Sequence, residues 1–365
     1  MRVPFARLDT PPELRREIEA AMARIADESR FVLGPAVAEF EDAFAQFCGT
    51  RCCVGVGSGT DALELALRAR GIGAGDEVVV PACTFIATAI AVLRAGATPV
   101  VVDVDADSLL LEHEAVRKAL GPRTRAILPV HLYGQIAASP ELRELAAEHG
   151  LFLLEDAAQA HGATGPAGRA GAIGDAAAFS FYPSKNLGAW GDAGAITTDD
   201  EELAACVRRL RNYGSAERYL HTDAGTNSRL DSIQAAVLLA KLPGLKAAND
   251  ARRAAAARYD ALLAGTPQIR PVRTRPGNES VHHLYVVRVP DRDRVLGAMN
   301  EAGVEALIHY PVPLHRHEAL KGKIVVHDLP NAESASAEIL SLPLFPGIRA
   351  VEQEFVTSVL KQEMR

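Results

Sequence analysis

Lys185 is the residue of this sequence whose surroundings most clearly suggest chemistry. It follows the apolar segment AAAFSFYPS, residues 176–184, and no acidic residue stands beside it. Only seven of the 39 Lys and Arg residues are lysines, so the chain uses arginine wherever any positive charge suffices. A lysine buried at a strand end has a lowered pKa and a nucleophilic amine, which Schiff-base formation requires. The alternative is a structural lysine that covers the strand end with its alkyl chain.

Asp156 is a second candidate, because it ends the apolar run LFLLED and is followed by Gln159 and His161. A carboxylate among small residues at a strand end is costly unless it meets a cation or hydrogen-bond donors. In one interpretation Asp156 is a solvated acid that caps the next turn. In the other it pairs with the protonated ring nitrogen of pyridoxal 5'-phosphate (PLP), which makes that cofactor an electron sink.

A glycine-rich turn, VGVGSGTDALELA, supplies a candidate anion site. Gly55, Gly57 and Gly59 follow a strand-like run, and Thr60 or Asp61 could cap the helix that comes next. Backbone N–H groups at such a helix start bind anions, most often phosphate. The spacing is G-x-G-x-G and not the G-x-G-x-x-G of dinucleotide-binding folds, although a Rossmann-type turn or a purely structural turn stays open for this segment alone.

Aromatic residues near the expected strand ends complete the set. Phe85 in TFIAT opens the helix after the strand DEVVV, and it either packs in the core or stacks on a planar cofactor ring. We expect His131 and Tyr133 to line the strand ends near the cofactor as well, although packing would equally explain both residues. A phosphate turn, a ring-nitrogen carboxylate, a Schiff-base lysine and a stacking aromatic are together the parts that one PLP site needs.

The elements that would position these residues alternate between strand and helix patterns from about residue 50 to 200. The strand-like runs are continuously apolar, which predicts a mainly parallel sheet covered on both faces by helices. Ligands of such sheets bind at the carboxyl ends of the strands, where the candidate residues stand. Ser139 with Pro140 predicts a helix start, and Gly150 predicts the end of that helix.

The pattern changes after SRLDSIQAAVLLAKL, where Pro243 and Gly244 precede a long helix and a strand-like VHHLYVVRV. We therefore expect three parts of the chain. Residues 1–30 would form an N-terminal arm and helix, residues 31–243 a large domain that holds the cofactor, and residues 244–365 a small C-terminal α+β domain.

Composition argues against several classes of protein. A net charge of −7 does not suit a nucleic-acid-binding surface. No apolar run approaches the roughly 18 residues that span a bilayer, and the N-terminus lacks the apolar core of a signal peptide. Five cysteines without CxxC spacing fit a reducing cytosol, so we expect a cytoplasmic protein without membrane contact. His315 and His317 lack a third nearby ligand, and we expect no metal site.

The sequence resembles the DegT-type nucleotide-sugar aminotransferases, which are PLP enzymes of the aspartate-aminotransferase fold (fold type I). The similarity runs nearly from end to end and is carried by GSGTDAL, PACTFIATA, EDAAQAHGA, SFYPSKNLGAWGDAGA, NSRLDSIQAAVLLAKL and IHYPVPLH. It implies an α/β fold, with a mainly parallel mixed sheet flanked by helices and a smaller C-terminal domain.

The resemblance also implies roles for the site residues. Lys185 would form the Schiff base with PLP and shuttle a proton between cofactor and substrate. Asp156 would bond the pyridine nitrogen, and Gln159 the phenolic oxygen. The remaining contacts would be Phe85 over the ring, Gly59, Thr60 and Ser180 at the phosphate, and Asn227 at the phosphate of a neighbouring subunit in a homodimer. A dehydratase branch of the family carries histidine in place of the lysine, so transamination is the expected reaction.

The implied reaction transfers an amino group from an amino acid, expected to be L-glutamate, to a keto-deoxysugar on a nucleoside diphosphate. The later motifs are most similar to those of enzymes that act on a dTDP-3-keto-6-deoxyhexose, with a 4-keto acceptor as the alternative. Arg229, His309 and Tyr310 are candidate substrate contacts or, equally, interface or core residues. An NAD-dependent sugar oxidoreductase and a non-catalytic regulator with this fold are the competing classes.

Overall fold

The computed structural model describes residues 1–364. Twelve α-helices occur in these residues: α1 Pro12–Glu28, α2 Pro35–Cys48, α3 Gly59–Ala69, α4 Ala87–Arg94, α5 His113–Ala119, α6 Pro140–Glu148, α7 Glu201–Leu210, α8 Ser232–Lys241, α9 Leu245–Leu263, α10 Arg292–Glu301, α11 Pro330–Glu338 and α12 Ala350–Gln362. The strands in the same residues are β1 Cys52–Val56, β2 Glu77–Pro81, β3 Thr98–Val102, β4 Thr124–Ile127, β5 Phe152–Asp156, β6 Thr164–Gly165, β7 Gly168–Arg169, β8 Ala176–Ser180, β9 Gly194–Thr198, β10 Ser215–Glu217, β11 Leu220–His221, β12 Arg270–Pro271, β13 Tyr285–Arg288, β14 Val325–Val326 and β15 Ile339–Leu342.

Eight strands form the central sheet, in the order β1-β9-β8-β5-β4-β2-β3-β14. Strand β9 runs antiparallel to both of its neighbours, and the other neighbouring strands are parallel. Every residue of β2, β5 and β9 is buried, because helices cover both faces of the sheet. The predicted α/β fold with a mainly parallel mixed sheet is confirmed.

The antiparallel strand β9 brings the candidate segments to one edge of the sheet. Since β1 and β8 are both antiparallel to β9, they point the same way as each other, and β8 is parallel to β5. Gly194 at the start of β9 is the register partner of Val56 in β1 and of Ser180 in β8. A Cβ atom on Gly194 would collide with the backbone of Ser58. The missing side chain therefore lets the glycine turn after β1 lie against the end of β8.

The helix ends follow the expected chemistry, with one correction. Ser139 caps α6 by accepting a hydrogen bond from the Leu142 N–H, and Gly150 lies just beyond that helix with φ 61°, as predicted. The cap of α3 is Ser58, and not Thr60 or Asp61. Its Oγ accepts from the Asp61 N–H at 3.1 Å, because only a residue in extended conformation before the first turn can reach that donor.

The C-terminal part of the chain builds a second, three-stranded sheet in the order β12-β13-β15. Its apolar core includes residues of α9, α10 and α12 as well as Val3 from the N-terminus. Strand β13 begins at Tyr285, so the predicted strand over VHHLYVVRV is shorter than expected: His282 has φ 40°, which breaks the extended backbone. The division into residues 1–30, 31–243 and 244–365 stays a prediction. No helix within residues 1–364 is both long and apolar enough to cross a bilayer.

A buried ion pair connects helix α2 to the edge strand β1, which leads into the glycine turn. Glu41 of α2 pairs with Arg211, and both side chains are about nine-tenths buried. The same carboxylate accepts from the Gly55 N–H at 2.8 Å, while Arg211 Nη1 donates to the Gly55 carbonyl at 2.7 Å. The pair therefore fixes the backbone of β1 just before the glycine turn.

Replacing Glu41 with Gln should strongly destabilise the fold, because it leaves Arg211 buried without a counter-charge. We expect the free energy of unfolding to fall by about 3–5 kcal/mol, measured by denaturant unfolding followed by circular dichroism. The matched control is Glu201→Gln, which breaks a pair with Arg51 whose side chains are 73% and 66% exposed. That change should cost less than about 1 kcal/mol. Equal losses in the two variants would contradict the assignment.

Candidate active site

Lys185 lies in the loop after β8, at the edge where β1 and β5 also end. Its backbone N–H donates to the Tyr182 carbonyl at 2.8 Å, which closes a turn directly after the strand. The side chain is half-buried. Burial lowers the pKa of Lys185 from its ordinary 10.5 to about 8, while the charge of Asp156 acts in the opposite direction. A substantial fraction of this amine is therefore neutral, and hence nucleophilic, near physiological pH.

Asp156 is the last residue of β5 and is only 6% exposed. Thr88 Oγ1 donates to its Oδ2 at 2.9 Å, and the Ala158 N–H donates to its Oδ1 at 3.2 Å. Burial raises the pKa of Asp156, whereas these two hydrogen bonds and the charge of Lys185 lower it. A buried carboxylate does not fit the interpretation as a solvated cap. It fits a carboxylate that a bound cationic group would stabilise.

Gln159 forms hydrogen bonds to two tyrosines beside Asp156. Its Oε1 accepts from the Tyr133 N–H at 2.6 Å, and its Nε2 donates to the Tyr310 hydroxyl at 3.1 Å. Burial and the charge of Asp156 raise the pKa of Tyr310 to about 12, so that this hydroxyl stays neutral. The resemblance implies that Gln159 bonds the phenolic oxygen of the cofactor. In this structure one of the two hydrogens on Nε2 is directed at Tyr310, and the other is the one that the proposed bond would use.

The glycine turn forms a tight cradle at the start of α3. A Cβ atom on Gly59 would lie 2.7 Å from Ser180 Cβ and 3.1 Å from Ser180 Cα. Gly59, Thr60 and Ser180 thus come together at the N-terminus of an 11-residue helix, where backbone N–H groups favour an anion.

Phe85 lies just before α4 and is 54% exposed, so its interpretation as a core residue is wrong. Its ring centroid lies 5.3 Å from that of Tyr310, with the two planes tilted by 38°. The two aromatic side chains therefore form a continuous apolar surface beside Gln159, on which a planar group could lie.

Some of the other predicted site residues lie in the aromatic cluster around Tyr310, and others lie at the protein surface. His309 stacks on Phe5 with ring centroids 5.4 Å apart, and burial together with the charge of Lys185 lowers its pKa to about 4. Arg229 Nη1 donates to Asn212 Oδ1 at 2.9 Å, and Asn227 is exposed.

The segment that carries Asn227 and Arg229 is attached to the glycine turn through the residue between them. Ser228 Oγ accepts from the Gly57 N–H at 3.0 Å and donates to Asp61 at 2.9 Å. Asn227 and Arg229 therefore flank a fixed point beside the cradle, and their functional roles stay predictions.

His131 does not line the site as expected. It is fully buried, with its Nε2 2.8 Å from the Glu155 carboxylate and its Nδ1 accepting from the Ala137 N–H. Because Nδ1 accepts, Nε2 must carry the hydrogen and donate it to Glu155. Packing thus explains His131, whereas Tyr133 joins the site through its N–H. Thr88 was missed by the sequence reasoning, since threonine in an apolar helix gives no signal of its own.

The chain matches the DegT/DnrJ/EryC1/StrS aminotransferase family over residues 12–361. It belongs to that family. Over 347 residues it is 51% identical to the dTDP-3-amino-3,4,6-trideoxy-alpha-D-glucose transaminase of Streptomyces venezuelae, covering 94% of this chain and 92% of the relative. Over 363 residues, 99% of each chain, it is 47% identical to the erythromycin biosynthesis sensory transduction protein EryC1 of Saccharopolyspora erythraea.

A solved structure extends the similarity to three dimensions. The crystal structure of S. venezuelae DesV in complex with a ketimine intermediate matches with a TM-score of 0.96 at 48% sequence identity, and the match covers 100% of this chain and 99% of that one. DegT/DnrJ/EryC1/StrS aminotransferases depend on PLP, and this chain is a PLP-dependent aminotransferase. An NAD-dependent oxidoreductase is thereby ruled out.

The site residues of this family member fit PLP. Lys185 offers an amine with a lowered pKa for the aldehyde, and the buried Asp156 offers an anion for a protonated ring nitrogen. The cradle at Gly59 is too tight for a Cβ atom and opens at a helix N-terminus, which suits a phosphate group. The three features complement three different parts of one cofactor.

Gly59→Ala should close the cradle, because the added methyl group has to displace Ser180 or the helix start. We expect PLP to bind at least about tenfold more weakly, a loss of about 1.4 kcal/mol, as measured by titrating the apoprotein with PLP. The control is Gly297→Ala in α10, where a Cβ atom would meet nothing within 4 Å. Unchanged affinity in the Gly59 variant would contradict the phosphate assignment.

The rate at which the apoprotein captures PLP should rise with pH and reach half its maximum near pH 8. The amine reacts only when it is unprotonated, and it is unprotonated above its pKa of about 8. Since Asp156 raises that pKa, Asp156→Asn should move the midpoint to lower pH. Stopped-flow absorbance measures both rates. A midpoint near the ordinary 10.5, or an upward movement in the variant, would contradict the proposed coupling.

Proposed function

We propose that this protein transfers an amino group from L-glutamate to the keto carbon of a dTDP-linked 3-keto-6-deoxyhexose and thereby forms an amino sugar. The observation that carries the proposal is that Lys185 and Asp156 lie at one sheet edge, close enough for the charge of each to shift the pKa of the other. The half-buried amine and the buried carboxylate shift each other's pKa, and the phosphate cradle lies at the same edge.

Each residue has a defined task in this reaction. Bound PLP supplies the electron sink that stabilises charge on a substrate carbon. Asp156 would keep a proton on the ring nitrogen of the cofactor. Lys185 Nζ, whose pKa of about 8 suits both proton uptake and release, would carry a proton between the substrate carbon and a carbon of the cofactor in each half of the reaction. Gly59, Thr60 and Ser180 hold the phosphate, so that the reacting atoms stay in place.

The proposed covering groups limit access of water to the reacting atoms. Phe85 would lie over the ring, and its contact with Tyr310 continues the apolar surface. Gln159 holds Tyr310 through its amide, and its remaining task is to bond the phenolic oxygen of the cofactor. Loss of water from such a site strengthens every charge interaction within it.

The acceptor is assigned from the relative of S. venezuelae, whose name describes a 3-amino sugar on dTDP. Tyr310 contacts both Phe85 and His309, and the charge of Lys185 lowers the pKa of His309, which makes His309 and Tyr310 candidate contacts to the sugar. Arg229 carries a positive charge in the segment that Ser228 attaches to the glycine turn, and it is a candidate contact to the diphosphate. A 4-keto acceptor is the alternative within the same chemistry.

A homodimer with shared active sites is part of the proposal. Tyr182, Trp190 and Tyr213 are 54%, 38% and 50% exposed, and in the proposed dimer a second subunit would cover these side chains. The exposed Asn227 would then reach the phosphate of the neighbouring site. A cytoplasmic location, without nucleic-acid or membrane partners, stays a prediction.

A purely regulatory role is the competing function, since the S. erythraea relative is named a sensory transduction protein. A regulator without chemistry has no need for a lysine of lowered pKa beside a buried carboxylate. The presence of both Lys185 and Asp156 therefore favours catalysis.

The visible spectrum of the purified protein tests the donor half of the reaction. We expect wild-type protein with PLP to absorb visible light and to lose that absorbance when L-glutamate is added. Lys185→Ala should lack the starting absorbance of the lysine-linked cofactor, because it has no amine at this position. Lys118→Ala, which changes an exposed lysine of α5, is the control and should behave as wild type.

The acceptor is identified in the same cuvette. After glutamate has bleached the protein, a dTDP-3-keto-6-deoxyhexose should restore the absorbance and the 4-keto isomer should not. Recovery with the 4-keto sugar alone would reassign the acceptor carbon. A wild-type protein that shows no absorbance change with PLP would overturn the proposed function altogether.

A further inference from the structure

Two buried threonines form a hydrogen-bonded chain that ends on Asp156. Thr84 Oγ1 lies 2.8 Å from Thr88 Oγ1, and Thr88 Oγ1 lies 2.9 Å from Asp156 Oδ2. The exposed fractions of Thr84 and Thr88 are 3% and 1%. Neither threonine lies in the glycine turn or the lysine loop, so the chain approaches the carboxylate from a separate element of the fold.

The direction of this chain follows from the groups themselves. An ionised carboxylate can only accept, so the single hydroxyl hydrogen of Thr88 must go to Asp156. The Thr88 oxygen is then free to accept the hydrogen of Thr84, four residues earlier in the chain. The two hydroxyl dipoles are thus aligned toward the carboxylate, and both favour its negative form over its protonated form.

We propose that Thr88, oriented by Thr84, is a positioning residue that holds the Asp156 carboxylate ionised and in place for the ring nitrogen of the cofactor. The inference rests on the proposed role of Asp156 in binding that nitrogen. Among the groups proposed to bind the cofactor, the Thr88 hydroxyl bonds the Asp156 carboxylate, and it would act on the cofactor through that carboxylate.

The need for such a residue arises from the depth of the site. Burial raises the pKa of Asp156, and a neutral carboxylic acid there would lose its attraction for a protonated ring. The Thr88 hydroxyl provides one of two hydrogen bonds to the carboxylate, and the other comes from the Ala158 N–H. A side chain can be changed without altering the backbone donor, so the contribution of Thr88 can be isolated.

The test compares PLP binding to apoprotein across pH for wild type, Thr88→Val and Thr88→Ser. Valine keeps the branched shape and removes the hydroxyl, while serine keeps the hydroxyl. A hydrogen bond to a charged group corresponds to about a tenfold change in affinity or more. We expect Thr88→Val to bind PLP about tenfold more weakly and Thr88→Ser to stay within about threefold of wild type.

The pH dependence separates this role from a purely structural one. Without the hydroxyl, Asp156 protonates at higher pH, so the acid side of the affinity profile should move upward in Thr88→Val alone. The other titratable groups that interact with Asp156 are Lys185, His131 and Tyr310, and all three are present in every variant. The variants therefore differ only in the side chain at position 88.

The matched control is Thr357→Val in α12. This threonine is also buried in a helix, and its hydroxyl donates to the Gln353 carbonyl at 2.9 Å. Removing it should leave both the affinity for PLP and its pH profile unchanged. If Thr88→Val fails to fold, Thr84→Val decides: a smaller shift of the same sign supports the inference, and no shift contradicts it.

The outcomes distinguish the inference from the proposed function. Wild-type apoprotein that does not bind PLP overturns the function itself. Tight wild-type binding with an unchanged Thr88→Val profile, or equal losses in the valine and serine variants, overturns the role of Thr88 and leaves the function standing.

Discussion

The site depends on one electrostatic constraint, which is that a buried carboxylate and a half-buried amine lie at the same edge of the sheet. Burial raises the pKa of Asp156 and lowers that of Lys185, while each charge partly offsets the shift of the other. Neither group would be stable there alone as an ion, because an unpaired buried charge is costly. The Lys185 amine is therefore nucleophilic, and the Asp156 carboxylate is stabilised by a cationic group. PLP chemistry requires both properties.

The topology of the sheet supplies the geometry for this pair. A single antiparallel strand, β9, aligns the ends of β1 and β8, and the glycines at positions 59 and 194 remove the side chains that would keep those ends apart. The buried pair of Glu41 and Arg211 then fixes β1 from behind. The close approach of the two backbones stabilises the fold and also shapes the site. Substitutions in the glycine turn should therefore affect both stability and function.

The fold could be predicted from local sequence features, whereas the roles of the site residues stay predictions. Continuous apolar strands indicated a covered parallel sheet, and an isolated lysine in an arginine-rich chain indicated a special role for Lys185. Hydrogen bonds between distant segments could not be predicted in this way. Thr88 lies 68 positions before Asp156, and Gln159 meets Tyr310 from 151 positions away.

The sequence-based predictions that the structure corrects failed for local physical reasons. His282 takes up a backbone conformation with φ 40° in a segment whose composition favours a strand, and tertiary contacts decide such cases. Histidine is a common catalytic residue type, but His131 donates a hydrogen bond to the buried carboxylate of Glu155.

Chemical mapping of the cofactor attachment tests the central claim most directly. Wild-type protein loaded with PLP is treated with borohydride, which makes the bond between cofactor and lysine permanent, and is then digested and analysed by mass spectrometry. Seven lysines of the chain could carry the label. The account predicts the label on Lys185 alone, and its removal when Lys185 is replaced. A label on another lysine, or no label at saturating PLP, would contradict it.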